Sequence, residues 1–143
     1  MPVNETLPVD IERRLERLGD VVAVVSSEID FAYLFGSAVT GRLTPRSDID
    51  IAIHVTEAVD PHALRLDVIT ATARFLGTDA LDVIVLNVAP LSLAGRVLTS
   101  RRVILDRRPF IRHRYESLRA RMFWDFRIRE RRLLDQRYAD GRS

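Results

Sequence analysis

Three aspartates in this chain stand where apolar strands normally carry none. Asp48 and Asp50 flank Ile49 at the head of the run Ile49-Asp-Ile-Ala-Ile53, and Asp82 opens Leu81-Asp-Val-Ile-Val-Leu86. Residues two apart in a strand point to one side, so Asp48 and Asp50 make a carboxylate pair. Such a pair repels, and its desolvation is costly unless something positive compensates. A divalent cation meets that need, and magnesium in particular takes one or two protein carboxylates together with the phosphates of a substrate. If the second and third strands are neighbours, the three carboxylates converge. That arrangement holds two ions about 3.5–4 Å apart in phosphoryl and nucleotidyl transfer. Gly36-Ser37, directly after the apolar run Phe31-Ala-Tyr-Leu-Phe35, supplies the complementary half. Glycine lets a phosphate approach the backbone, and the amides of a helix starting at Ser37, with the serine hydroxyl, donate to its oxygens. Each piece alone is common. Their order is specific: Gly-Ser after an apolar strand, ten residues (Ala38–Ser47), Asp-x-Asp opening the next strand, then a lone Asp opening a third.

The elements that must position these groups follow from periodicity. Asp10 is placed to cap a helix with apolar positions Ile11, Leu15, Leu18, Val22 and Val25. The continuous run Phe31–Phe35 reads as a strand buried on both faces. Asp60-Pro61 opens a helix with a stripe of Leu64, Val68, Ala71 and Phe75, and Gly77 stops it. A short helix over Leu91–Leu98 leads to a fourth strand, Val103-Ile-Leu105. From Pro109 onward Ile111, Tyr115, Leu118, Met122 and Phe126 share one face of a long helix rich in arginine. The expected fold is α/β: a small mixed sheet of about four strands flanked by helices, in one domain over 1–143. Its core spans about 8–106 and a basic C-terminal helical extension about 109–138.

The composition fits a globular domain. The chain has 143 residues, 47% apolar and 29% charged, and no cysteine, which excludes disulfides, thiolate zinc sites and a cysteine nucleophile. No apolar run approaches the ~18 residues of a membrane span, and the start of the chain lacks a signal-peptide pattern, so a cytoplasmic protein is expected. The net charge of +2 conceals a polarity. Residues 1–100 carry 8 arginines against 14 acids, a net of −6, whereas residues 101–143 carry 14 against 6, a net of +8. Such a basic segment suits a polyanionic ligand or an acidic partner. Direct nucleic-acid binding is not expected, because no recognition motif accompanies the charge.

The segment Phe35-Gly-Ser-Ala-Val-Thr-Gly-Arg-Leu-Thr-Pro-Arg-Ser-Asp-Ile-Asp-Ile resembles the signature of the DNA polymerase beta-like nucleotidyltransferase superfamily, and in its tight form that of the minimal nucleotidyltransferases (MNT). Val103-Ile-Leu-Asp106, Arg112-His-Arg-Tyr-Glu116 and Trp124-Asp-Phe126 are similar to the C-terminal part of MntA-type antitoxins, which are encoded beside HEPN-domain ribonuclease toxins. The resemblance covers most of residues 30–130 and implies the nucleotidyltransferase fold. It implies that Gly36 and Ser37 bind nucleotide phosphates and that Asp48 and Asp50 hold two Mg²⁺ ions. Asp82 would complete the second metal site and help deprotonate the attacking hydroxyl. It further implies transfer of AMP from ATP to a tyrosine of a cognate HEPN toxin, which the modification silences. At Thr40 the chain departs from the arginine that many minimal members carry, and Arg42 and Arg46 are the nearest replacements for that charge.

Two other functions fit the same residues. One is a nucleotidyltransferase for a small hydroxylated molecule such as an aminoglycoside; the other is a toxin-binding module without turnover. Several residues carry no functional expectation. His54 reads as a hydrogen-bonded structural histidine, Trp124 and Phe126 as packing or partner-interface residues, and Glu116 as a surface partner of a nearby arginine. Tyr115 and Tyr138 are not the expected acceptors.

Overall fold

Strand β1 (Ile29–Phe35) organises the molecule, because all seven of its residues are buried. The structure is a computed structural model and describes residues 6–140. β1 is an inner strand of a four-stranded sheet of order β3-β2-β1-β4. It pairs antiparallel with β2 (Ile49–Val55) and β4 (Arg101–Asp106), while β2 pairs parallel with β3 (Leu81–Val85). Helices cover both faces, so β1 is buried throughout, as the apolar run Phe31–Phe35 predicts, and its one charged residue, Asp30, is met by His54 and Arg108.

One face packs Ala32, Leu34, Ile49, Ile51 and Ile53 against α1 (Ile11–Leu15), α2 (Leu18–Val25) and α4 (Pro61–Leu76). The opposite face packs Phe31, Tyr33, Phe35 and Ala52 with Val97 of α5 (Leu91–Thr99) and Tyr115 of α6 (Pro109–Asp140). A four-residue helix, α3 (Ser37–Thr40), follows β1, and a 3₁₀ turn (Leu86–Val88) follows β3. No helix among the described residues is long and apolar enough to cross a membrane.

Three local expectations need correction. The helix expected to run on from Ile11 is broken between Leu15 and Leu18. Asp10 does not cap it; its carboxylate accepts from Arg14 Nε instead (3.1 Å). The break lets α2 cross β4 closely at Gly19, where any Cβ would overlap the Ile104 carbonyl. In α4 the ends are as expected, with Asp60 accepting from the His62 amide (3.0 Å) and Gly77 left-handed at φ 72°. Its buried stripe, however, is Leu64, Val68, Thr72 and Leu76 rather than one through Ala71 and Phe75. Thr72 satisfies its hydroxyl on the Val68 carbonyl (2.6 Å), and that bond admits a polar residue to the core.

The third correction concerns α6. Ile111 and Tyr115 meet the sheet, but Leu118, Met122 and Phe126 on the same face are 51%, 39% and 45% exposed. The helix instead turns Phe123 onto Gly95 of α5, where a Cβ would overlap the ring. From Trp124 to Ala139 every residue is exposed.

Candidate functional site

The ladders align the site residues in one row across one end of the sheet. Asp82 pairs with Asp50 in the parallel β2–β3 register, Asp50 with Phe35 in the antiparallel β1–β2 register, and Phe35 with Arg101 of β4. Strand alternation puts Asp50 on the face of Ala52 and Asp82 on that of Ile84, the face covered by α5 and α6. Asp48 stands one residue ahead of β2 and is exposed. The turn before it is tied by the Ser47 hydroxyl, which accepts from the Thr44 amide (2.8 Å).

Gly36 follows β1 with φ 74° and ψ −146°, a conformation essentially closed to other residues. A Cβ there would lie 2.5 Å from Asp50 Oδ2, so the absent side chain keeps the backbone open directly beside that carboxylate. Ser37 begins α3 next to it.

Asp50 is half-buried, and its pKa is raised first by burial and then by the negative charges of Asp82 and Asp48; Arg96 of α5 acts in the opposite direction. The carboxylates therefore sense one another across the two strands. Asp82 is more open and is met by Arg65 of α4, whose Nη2 lies 3.4 Å from Asp82 Oδ1 while its Nε donates to the Val83 carbonyl (2.6 Å). A shallow cleft of about 300 Å³ opens at this edge, and its lining includes Asp82 and Arg65 together with Val85, Val88 and Leu93.

Among the described residues no three His, Asp or Glu side chains are drawn together as a formed metal site. The donor chemistry nevertheless fits a hard divalent ion. It consists of carboxylate oxygens, with Asp50 raised by burial and then by the charges of Asp82 and Asp48, beside a backbone stretch open to an anion.

These elements match known proteins. Residues 20–110, more than half of the chain, match the family model "Polymerase beta, Nucleotidyltransferase". The chain belongs to that nucleotidyltransferase family. No curated protein sequence matches it. Solved structures share its fold. A chain of a toxin–antitoxin crystal structure with AMP-PNP superposes with a TM-score of 0.68 at 22% identity, covering 87% of this chain and 96% of its own. A chain from the tri-AMPylated Shewanella oneidensis HEPN toxin in complex with MNT antitoxin gives 0.66 at 19%, covering 88% and 97%. A chain from the toxin–antitoxin MntA-HepT gives 0.62 at 21%, covering 88% and 95%.

Against this nucleotidyltransferase framework, two cations of the site lie outside the sequence reading. Arg42 and Arg46, which the sequence offers as charges for the phosphates, are both exposed in the loop after α3, and a further cation, Arg96 of α5, favours the ionised form of Asp50. Arg65, which meets Asp82, is the other. Both come from helices distant in sequence from the motif, so no local spacing marks them.

Glu116 is also more than a surface partner. Its Oε1 accepts from Tyr33 Oη and Arg112 Nη1 (both 2.8 Å), and its Oε2 from Arg101 Nη2 (3.2 Å). His54 is structural, as expected: its Nδ1 lies 2.7 Å from buried Asp30 and its ring stacks on Phe31. Tyr115 is buried and unavailable as an acceptor.

Proposed function

We propose that this chain is the antitoxin of a toxin–antitoxin pair and transfers AMP from ATP to a tyrosine hydroxyl of a cognate HEPN ribonuclease toxin, silencing it in the cytoplasm. The observation that carries the reading is the row Asp82–Asp50–Phe35 with the open Gly36 backbone at its end, in a chain of the polymerase beta nucleotidyltransferase family. Two findings about relatives support the choice of donor and acceptor. Chains of this fold occur in a toxin–antitoxin structure with AMP-PNP and in a complex of MNT antitoxin with a HEPN toxin carrying AMP.

In this reading Gly36 and Ser37 hold the triphosphate, the glycine by letting phosphate oxygens reach main-chain amides and the serine by donating its hydroxyl. Asp48, Asp50 and Asp82 would hold Mg²⁺, which when bound neutralises phosphate charge and favours displacement at the α-phosphorus. The tyrosine oxygen forms a bond to the α-phosphorus and the bond from that phosphorus to the bridging oxygen breaks. Pyrophosphate leaves, and the hydroxyl proton passes to the Asp82 carboxylate. The cleft beside Asp82 and Arg65 gives the acceptor side chain an approach with apolar walls for an aromatic ring.

The test is incubation with labelled ATP, magnesium and the HEPN protein encoded beside this chain. Label should pass to a tyrosine of that protein, and it should fail to pass when Asp48 and Asp50 are changed to Asn. Neutralisation of the toxin by the doubly substituted chain at normal expression would favour binding without turnover. Transfer to a small hydroxylated molecule and not to the protein would redirect the acceptor.

A further inference from the structure

On the face of the sheet that carries Asp50 and Asp82, α5 and α6 leave a cleft of about 450 Å³ lined by Arg96, Thr99, Ser100, Phe123, Trp124 and Arg127. It lies at the same end of the sheet as the carboxylates. Phe35 pairs with Arg101 at the last rung of the antiparallel β1–β4 ladder, and Gly36 and Ser100 are the chain neighbours that adjoin that rung. The Gly36-Ser37 turn thus has acidic groups on its β2–β3 side and this cleft on its β4 side.

The lining is cationic and aromatic. No acidic residue borders the cleft, and among the described residues neither Arg96 nor Arg127 has a carboxylate within ion-pair distance. Phe123 sits on Gly95, and the Arg127 guanidinium lies over its ring at 5.9 Å. Trp124 is 67% exposed, so much of its indole is free to meet a ligand. Arg96 lines the cleft from α5, beside Thr99 and Ser100. Unpaired guanidinium groups beside an open indole suit an anion that carries an aromatic ring, which is the chemistry of a nucleotide.

We propose that the α5–α6 cleft receives the nucleoside end of the donor nucleotide, a purine ring stacking on the Trp124 indole while Arg96 and Arg127 donate to phosphate or ribose oxygens. The inference rests on the nucleotide-donor reading above and adds where the base goes. The cradle then lies between two substrates: donor base on the β4 side, acceptor hydroxyl on the Asp82 side. A purine nucleotide already attached to an acceptor has the same chemistry, and titration with ATP in the absence of any acceptor separates the two sources.

Trp124 is the chain's one tryptophan and lines this cleft, so a change in its fluorescence reports on binding at this part of α6. The intact protein is titrated with ATP and Mg²⁺, following indole emission and, in parallel, heat. A saturable change in emission with the calorimetric midpoint is expected. Trp124→Ala, at an exposed position and checked for folding by circular dichroism, should bind ATP about tenfold more weakly while its affinity for inorganic tripolyphosphate is unchanged. Heat of ATP binding with a silent indole and an unaffected variant would overturn the subsite and leave the nucleotide reading standing. An equal loss of ATP and tripolyphosphate affinity in the variant would also overturn it. No heat from either ligand would remove the nucleotide reading and the subsite together.

Discussion

At Asp50 the chemistry and the stability of the chain pull in opposite directions. Burial, then Asp82 and Asp48, raise its pKa against the influence of Arg96, so folding favours the protonated form. A carboxyl raised in this way stabilises the fold below its unfolded value, near 3.9, and that contribution is lost as pH rises through the native value. Near neutral pH, without metal, ionised Asp50 is therefore a liability. Asp50→Asn should melt above the parent in chelator-treated buffer, and the gap should close as the pH falls towards about 4. Added magnesium should raise the melting temperature of the parent and leave the variant unmoved, while AMP transfer falls by about a thousandfold or more. Thermal scans across pH and a label-transfer assay check both halves; a variant no more stable than the parent near neutrality would contradict the first. Gly36 is the second sensitive position. Gly36→Ala places a Cβ 2.5 Å from Asp50 Oδ2 and forces alanine to φ 74°. Backbone strain of this kind costs about 1–3 kcal/mol. A lower denaturation midpoint and lost calorimetric ATP binding are expected together. That Gly36, Ser37, Asp48, Asp50 and Asp82 gather at one end of the sheet was legible in the sequence, because local spacing and strand order bring them together. Arg65 and Arg96 were not, since each reaches the site only by the packing of its helix against the sheet.

Between elements, the chain uses buried charge to hold α6 to the sheet. Glu116 of α6 binds Tyr33 of β1, Arg101 of β4 and Arg112 one helical turn before it. Arg112 also donates to Asp106 (2.9 Å), and Arg108 to buried Asp30 (2.9 Å). Burial draws the Glu116 carboxyl up, but hydrogen bonds from Arg112, Tyr33 and Arg101 outweigh it and leave it below the ordinary range. The stabilisation from a depressed carboxyl is present above its unfolded value and is lost as pH falls through the native one. Glu116→Gln should therefore cost about 1–3 kcal/mol near neutrality, because the amide removes the negative charge opposite Arg112 and Arg101 and, with its carbonyl oxygen towards Tyr33 and Arg112, turns an NH2 group on Arg101. It should also flatten the fall in stability that the parent shows below about pH 4.3. Urea unfolding at neutral and acid pH measures both effects, and an acid limb as steep in the variant as in the parent would count against this role. The contrast with the sequence is instructive at this scale. Strand positions and the Asp60 and Gly77 ends of α4 follow from local chemistry. The break before α2 does not, because it answers to the approach of Gly19 to β4. Nor does the role of Glu116, whose partners lie on two strands and on its own helix.

For the molecule as a whole, the charge polarity becomes a division of labour. Acidic residues predominate in the part that builds the sheet, while α6, a helix of 32 residues and so about 48 Å long, carries arginines beyond the body. Its portion from Trp124 to Ala139 is exposed on every side, with Leu133 and Leu134 61% and 57% exposed. An isolated helix of that length is marginal in water and gains most when a partner covers its apolar residues. Arginine with large apolar residues suits a protein interface that is steered by opposite charge. Removing residues 130–143 should therefore leave the denaturation midpoint and ATP affinity close to those of the full chain, since Trp124 and Arg127 remain and no sheet contact is lost. Affinity for the proposed HEPN partner should fall by about tenfold or more, with the loss largest at low ionic strength, where surface charges are least screened. Binding measured at low and high salt for both chains decides the matter. If the shortened chain binds the partner as well as the full one at low salt, the overhang is not the docking element. If instead its ATP affinity collapses, α6 beyond Arg129 belongs to the catalytic body.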